Sequence, residues 1–271
     1  MEDKELYVMM TLISGLGPVT QNKLLTLMGG IDNCFSIEKK SEVISSLEAG
    51  ELRMYNRALN AFNKYKNDDE LRRRAKEMVA SCYEKGIDIV TKGDPRYPWR
   101  FVQLPDVPIV LYIKGTLKIN EYSRSLGVVG ARRCTHEGKE QAIEAASRAV
   151  KENTAVISGM AKGIDSYAHT ACIKEGGYTI AVLGNGPDIC YPKEHQLLYE
   201  AIIKSGCIIS EYPPGTRPCQ YYFPQRNRII AALSDELCVI DAGNNSGTRY
   251  TVDSCRKYRK EVGQGDGSNA I

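Results

Sequence analysis

Thr179-Ile180-Ala181-Val182-Leu183, closed by Gly184-Asn185-Gly186-Pro187, is an apolar run too short for a helix and stopped by a turn. A run of that length with no alternation reads as a strand buried on both faces. The same signature recurs on either side of it. Strands expected at 126–130, 154–158, 178–183, 207–211 and 236–241 alternate with helical periodicity at 137–151, 165–175, 193–205, 224–233 and 247–260. Strand, helix, strand in strict alternation implies a mainly parallel sheet with helices on both faces, a doubly wound Rossmann-like α/β fold.

Upstream the pattern changes. Residues 5 to 66 carry only helical signals, at Leu6–Leu12, Gln21–Met28, Ser41–Ser46 and Leu52–Tyr65. Between the first two, Ser14-Gly15-Leu16-Gly17-Pro18-Val19-Thr20 reads either as a tight helix–helix turn or as a hairpin offering backbone N–H groups to a phosphate. After Asn67-Asp68-Asp69 come a charged helix to about Lys85 and a strand, Ile87–Val90, ending at Gly93-Asp94-Pro95. The expected organisation is a small helical domain at 1–66, an extended Rossmann-like domain at 67–262, and a flexible glycine-rich tail at 263–271.

Bulk properties exclude several classes. The 271 residues are 42% hydrophobic and 25% charged with a net charge of +3, ordinary for a globular protein of this size. No apolar run reaches the length of a membrane span, and the start, Met1-Glu2-Asp3-Lys4-Glu5, lacks the basic region of a signal peptide, so a cytoplasmic protein is expected. Nine cysteines stand singly, without a C-x-x-C pair, beside three histidines, so neither a disulfide framework nor a metal site is expected.

Ligands of open α/β sheets bind beyond the carboxyl ends of the strands, which makes the loops there the candidate site. The loops read Gly130-Ala131-Arg132-Arg133, then Ser158-Gly159-Met160-Ala161-Lys162-Gly163, then Gly184-Asn185-Gly186. Two more follow: Glu211 through Phe223-Pro224-Gln225-Arg226-Asn227-Arg228, and Asp241 through Ser246-Gly247-Thr248. Glycines admit a close phosphate, Arg132, Lys162, Arg226 and Arg228 supply charge, and Ser158, Asn185, Asn227 and Ser246 supply neutral hydrogen bonds. Pro224 opens a helix whose free N–H groups favour anions, and Phe223 ahead of it offers either a stacking face or a packing contact. Asp165 reads as a helix cap and His169 as a core residue. No dinucleotide fingerprint, P-loop, nucleophile elbow or activated nucleophile is present, so the loops describe a binder without cofactor or catalysis.

Taken in order, Gly130-Ala131-Arg132, Ile157 through Asp165, Ala181-Val182-Leu183-Gly184, Ser210-Glu211-Tyr212-Pro213-Pro214-Gly215, Phe223 through Ala231 and Ser246-Gly247-Thr248 resemble the DNA-processing protein A (DprA, or Smf) family. Asp94-Pro95-Arg96-Tyr97-Pro98 is similar to that family's lead-in segment, and the N-terminal helices to its SAM-like domain. The resemblance implies a non-enzymatic cytoplasmic homodimer that binds single-stranded DNA, protects it and helps load RecA in natural transformation. It implies phosphate contacts from Arg132, Lys162, Arg226, Asn227 and Arg228, with Ser158, Gly159 and Gly163 shaping the pocket. Ala131 stands where the family more often has serine. After Val262 the family's further apolar strand gives way to Gly263-Gln264-Gly265-Asp266-Gly267, so that strand is expected to be absent or altered, and a C-terminal winged-helix module to be missing. A competing reading is a nucleotide-processing enzyme resembling the phosphoribohydrolases, with Gly243–Thr248 as its loop and Asp253 as its acid.

Overall fold

A computed structural model describes residues 1–35, 48–65, 67–242 and 247–264. The chain divides into two compact units, Met1–Tyr97 with Pro105–Leu111, and Pro98–Leu104 with Tyr112–Ile271. The division falls at Tyr97, beyond the boundary expected at residue 66, because the charged helix after Asp68 packs on the first helix of the chain.

The first unit is helical: α1 (Asp3–Leu12), α2 (Pro18–Met28), α3 (Ile31–Phe35), α4 (Ala49–Tyr65) and α5 (Asp69–Glu84), followed by β1 (Asp88–Thr91). Local chemistry sets the helix ends. Glu2 and Glu5 form a reciprocal capping box on α1, Pro18 occupies the first turn of α2, and Gly29, at φ 71°, closes α2 in the left-handed conformation. Within the Ser14–Thr20 segment, Ser14–Gly17 form a tight turn and Pro18–Thr20 open α2, with the Gln21 side-chain amide donating back to the Leu16 carbonyl at 2.8 Å. The helix expected at Ser41–Ser46 lies outside the described residues.

The second unit carries the sheet. Its elements are β2 (Val110–Gly115, the first two residues counting with the first unit), β3 (Ser125–Gly130), α6 (His136–Lys151), β4 (Ala155–Ser158), α7 (Ile164–Lys174) and β5 (Thr179–Leu183). They continue with α8 (Gln196–Ser205), β6 (Cys207–Ser210), α9 (Tyr222–Leu233), β7 (Glu236–Ile240), α10 (Arg249–Lys257) and β8 (Glu261–Gln264). The strand order is β2-β6-β5-β4-β3-β7-β8, with β2 antiparallel to β6 and every other pairing parallel. This is the mainly parallel doubly wound α/β sheet expected from the alternation. The last strand, expected to be absent or altered, is present as the four-residue β8, which pairs in register with β7, Glu236 opposite Glu261 through Val239 opposite Gln264, so residues 263 and 264, expected in the tail, belong to the sheet.

Small residues let the helices approach closely. Ala142, Ala145, Ala146 and Ala149 recur at helical spacing on α6 and pack with Val128, Val156, Ala168 and Cys172 into one buried cluster. On α8, Tyr199 and Ile202 pack with Met160, Ala181, Leu183 and Ile208. The sequence order of the strands runs down from β6 to β3 and then jumps to β7, which makes the carboxyl ends of β3 and β7 the topological switch point, where such sheets open a crevice.

Candidate functional site

A cavity of about 720 Å³ opens at that switch point. Its floor comes from the end of β3 (Val129, Gly130) and the following Ala131 and Arg132, and one wall from the first turns of α9 (Phe223, Pro224, Arg226, Asn227). Gly247, Thr248 and Thr251 close the side below β7, and Ala161, Asp165 and Tyr191 complete it. Gly130 sits where any side chain would run into the Ile240 carbonyl and the Ile164 side chain. At Gly163, φ is +76° and a side chain would meet the carbonyl oxygens of Ala131 and Arg132. Both glycines bring backbone strands together behind the cavity.

Arg226 is the centre of the arrangement. It is only 5% exposed, and its Nη1 donates to the carbonyls of Gly159, at 2.8 Å, and Val182. Its Nε donates to Asn227 Oδ1 at 3.1 Å, and the Asn227 amide in turn donates to the Gly247 carbonyl at 3.1 Å. Gly159 is required here, since a Cβ would stand 2.5 Å from the guanidinium. Burial lowers the Arg226 pKa to about 10, opposed by the Asp165 carboxylate and assisted by the Arg132 charge, so the group remains a cation at neutral pH. Asp165 is buried beside it and accepts from the N–H groups of Gly159, at 3.1 Å, and Ala161, at 3.3 Å. Burial pushes its carboxyl upward, against the pull of Arg226.

Arg132 is exposed at the rim. The same cavity is lined by an aromatic pair, Tyr191 stacked on Phe223 with ring centroids 5.5 Å apart and planes at 27°. The structure therefore gathers Gly130, Arg132, Phe223, Arg226 and Asn227 around one cavity, with Gly159 and Gly163 supporting it from behind.

Other expected residues stand elsewhere. The Ser158 hydroxyl is buried and donates to the Val128 carbonyl at 2.6 Å, so it is not offered to a ligand. The Asn185 side chain is 1% exposed and donates to the carbonyls of Gly186 and Ile189, holding its own loop together. Arg228 is turned away to Glu211 in a largely buried ion pair. Lys162 is exposed, does not line the cavity and pairs with Glu194. Ser246 lies outside the described residues. His169 is fully buried, as expected of a core residue. Since the Thr179 hydroxyl donates to Val156, the His169 Nδ1–H is the donor to Thr179 Oγ1 at 2.7 Å. Tyr191, Thr248 and Thr251 line the cavity without having been marked as site residues; Tyr191 sits in a long loop with no periodic pattern to point to it.

Among the described residues no group of three potential metal ligands comes together, and no helix is long and apolar enough to cross a membrane. The Thr248 hydroxyl lies 3.5 Å from the Gly130 carbonyl. The arrangement can hold an anion between a buried and an exposed guanidinium beside an aromatic face.

The family described as DNA recombination-mediator protein A matches residues 88–269. Protein Smf of Synechocystis is 36% identical over 189 residues, covering 69% of this chain and 48% of the relative. DNA processing protein DprA of Streptococcus pneumoniae is 37% identical over 169 residues, 62% of this chain and 59% of the relative. The chain thus spans about half to three-fifths of the length of these curated relatives. The crystal structure of the S. pneumoniae protein superimposes with a TM-score of 0.75 at 28% identity, covering 97% of this chain and 86% of that one. DNA processing protein A from Helicobacter pylori, a protein with a single-stranded DNA binding mode, gives 0.59 at 29% identity over 65% of this chain and 80% of its own. On the strength of this match, which takes in the strands and loops that build the cavity, the chain belongs to the DNA recombination-mediator protein A family.

Proposed function

We propose that the cavity at the β3/β7 switch point binds the backbone of single-stranded DNA and that the protein acts as a non-catalytic recombination mediator. The observation that carries this reading is the pairing of a buried, framework-held Arg226 with an exposed Arg132 beside the Tyr191–Phe223 stack. Guanidiniums plus aromatic faces suit a polynucleotide read without sequence preference. The single-stranded DNA binding of the H. pylori relative supports it. By the same family relationship the protein protects incoming strands, helps load RecA during natural transformation, and works as a cytoplasmic homodimer.

The nucleotide-hydrolase alternative needs an acid at the ligand. Asp253 is exposed on α10, 3.8 Å from Arg249, and does not line the cavity.

The test is fluorescence anisotropy of the protein with labelled single-stranded and duplex oligonucleotides of mixed sequence across a salt series. Tight binding that favours the single strand and weakens steeply with salt supports the reading. No single-strand binding at low salt overturns it. RecA filament assembly on protein-coated strands and sedimentation velocity check the mediator and dimer assignments.

A further inference from the structure

Between β3 and α6 the chain crosses through Ala131-Arg132-Arg133-Cys134-Thr135, and both ends of that crossing are fastened beside the end of β7, to consecutive residues. At the near end the Ala131 N–H donates to the Ile240 carbonyl at 3.2 Å, carrying the β3–β7 ladder one step further. At the far end the Asp241 carboxylate accepts, on Oδ2, the Thr135 N–H at 2.6 Å and the Thr135 hydroxyl at 2.8 Å. That hydroxyl accepts in turn from the Gly138 N–H at 2.9 Å, so one side chain both caps α6 and ties it to the end of β7. Arg132, Arg133 and Cys134 therefore form an arch closed at both feet, with Cys134 packed against the buried cluster of α6 and both arginines exposed.

Two features mark the Asp241 tie as built. Asp241 holds φ at +53°, a left-handed conformation that residues other than glycine seldom adopt and that aspartate tolerates better than most. Position 138, in the first turn of α6, is glycine, where a Cβ would run into Asp241 Oδ2 and stand 2.6 Å from its Cγ. Glycine favours a helix less than alanine does, so the space is kept for the carboxylate. A negative charge at the carboxyl edge of the sheet opposes a polyanion, and its presence there calls for a compensating role.

We infer that Asp241 is a positioning residue for single-strand binding: by fastening Thr135 it holds the arch so that Arg132 stands at the cavity rim. The inference rests on the single-stranded DNA reading and deepens it. Asp241 acts without touching the strand, and its effect passes through Arg132.

The experiment sets Asp241→Asn against Asp241→Gly. Both delete the charge and both suit a positive φ, but only asparagine keeps a side-chain oxygen for the Thr135 N–H and hydroxyl. Anisotropy with a labelled mixed-sequence single strand is expected to show binding about threefold to tenfold weaker for Asp241→Gly than for Asp241→Asn, the factor for one hydrogen bond of ordinary net strength. In an Arg132→Ala background the two are expected to bind within about twofold of each other, because the residue through which the tie acts is gone. Equal binding by the two variants with Arg132 present, or an undiminished difference without it, overturns the positioning role. Hydrogen–deuterium exchange of the free proteins reads the tie without any ligand: the amides of residues 131–138 should exchange faster in Asp241→Gly and close to the wild-type rate in Asp241→Asn, and indistinguishable rates overturn the tie. Failure of the wild-type protein to bind any single strand overturns the underlying reading and the positioning role with it, while the exchange comparison still decides whether Asp241 holds the arch. The exposure of Asp241 keeps the glycine variant folded, which a cooperative thermal melt verifies.

Discussion

Replacing Arg226 with methionine tests whether the cavity is organised by one buried cation. Methionine keeps the unbranched apolar stem and deletes the guanidinium. The Gly159 and Val182 carbonyls then lose a shared donor inside the protein, at about 1–3 kcal/mol for each buried group left unsatisfied. Asp165 loses the nearby cation that opposes the effect of its burial, which adds to the loss. The two costs overlap, because Asp165 relaxes by taking up a proton, so the expected net loss is about 4 kcal/mol. For a chain of this size that corresponds to a fall in Tm of about 8–16 °C. Thermal unfolding is followed by far-UV circular dichroism and by Trp99, the single tryptophan of the chain, which lies in the second unit. Adding Asp165→Asn removes the stranded charge, so the double variant should recover at least about 1 kcal/mol relative to the sum of the single changes. A melting temperature for Arg226→Met within about 2 °C of wild type would refute the reasoning, since a guanidinium with those partners cannot be deleted at so small a cost.

Arg132, exposed at the rim, should behave oppositely: Arg132→Ala leaves stability within about 0.5 kcal/mol and weakens single-strand binding at every sequence, lowering the salt slope by about 0.7, which paired melts and salt titrations resolve. Glu194→Gln frees Lys162 from its ion pair and should tighten binding about twofold at low salt, the gain vanishing at high salt. Gly163→Ala places a methyl against the Ala131 and Arg132 carbonyls at φ +76°, so a loss of about 2–4 kcal/mol is expected, measured by urea unfolding. His169 is held neutral by burial to a pKa of about 3 against an ordinary 6.5. Its contribution to stability is fully present above pH 6.5 and is lost as pH falls toward 3, amounting to about 2–3 kcal/mol between pH 8 and pH 4.5. Urea midpoints across that interval should fall less steeply for His169→Gln than for wild type; equal slopes would show that His169 is not the group responsible.

The sheet was legible because its strands are buried on both faces, which turns each into an uninterrupted apolar run such as Thr179–Leu183. β8 escaped the same reading. Glu261-Val262-Gly263-Gln264 has a single large apolar residue, and its placement comes from parallel pairing along β7 rather than from burial. Arg100 carried no signal either, although its side chain is 1% exposed and paired with Asp235 at 2.7 Å, because the partner lies far along the chain. At the site, a physical clue was available for the paired arginines. Residues two apart on a helix project to nearly opposite sides, so Arg226 and Arg228 could not both face one cavity, and the structure sends Arg228 to Glu211. Which of the two would face inward depends on the position of α9 over the sheet, which no local pattern encodes.

The glycine-rich loop after β4 has the composition of a phosphate cradle, yet two of its backbone donors are already engaged. Gly159 and Ala161 give their N–H groups to Asp165 Oδ2, an acceptor supplied by the chain itself, and the loop is thereby fixed in the shape that lets the Gly159 carbonyl hold Arg226. The glycines act on the architecture of the cation rather than on the ligand. In a nucleotide-binding sheet the peptide groups grip the phosphate and charge assists. Here the Gly159 carbonyl of that loop holds an arginine, and on the proposed reading attraction for the ligand falls to side chains at the cavity wall and rim. On the proposed reading, a site whose described cations are side chains suits a backbone with a phosphate at every nucleotide, at any register.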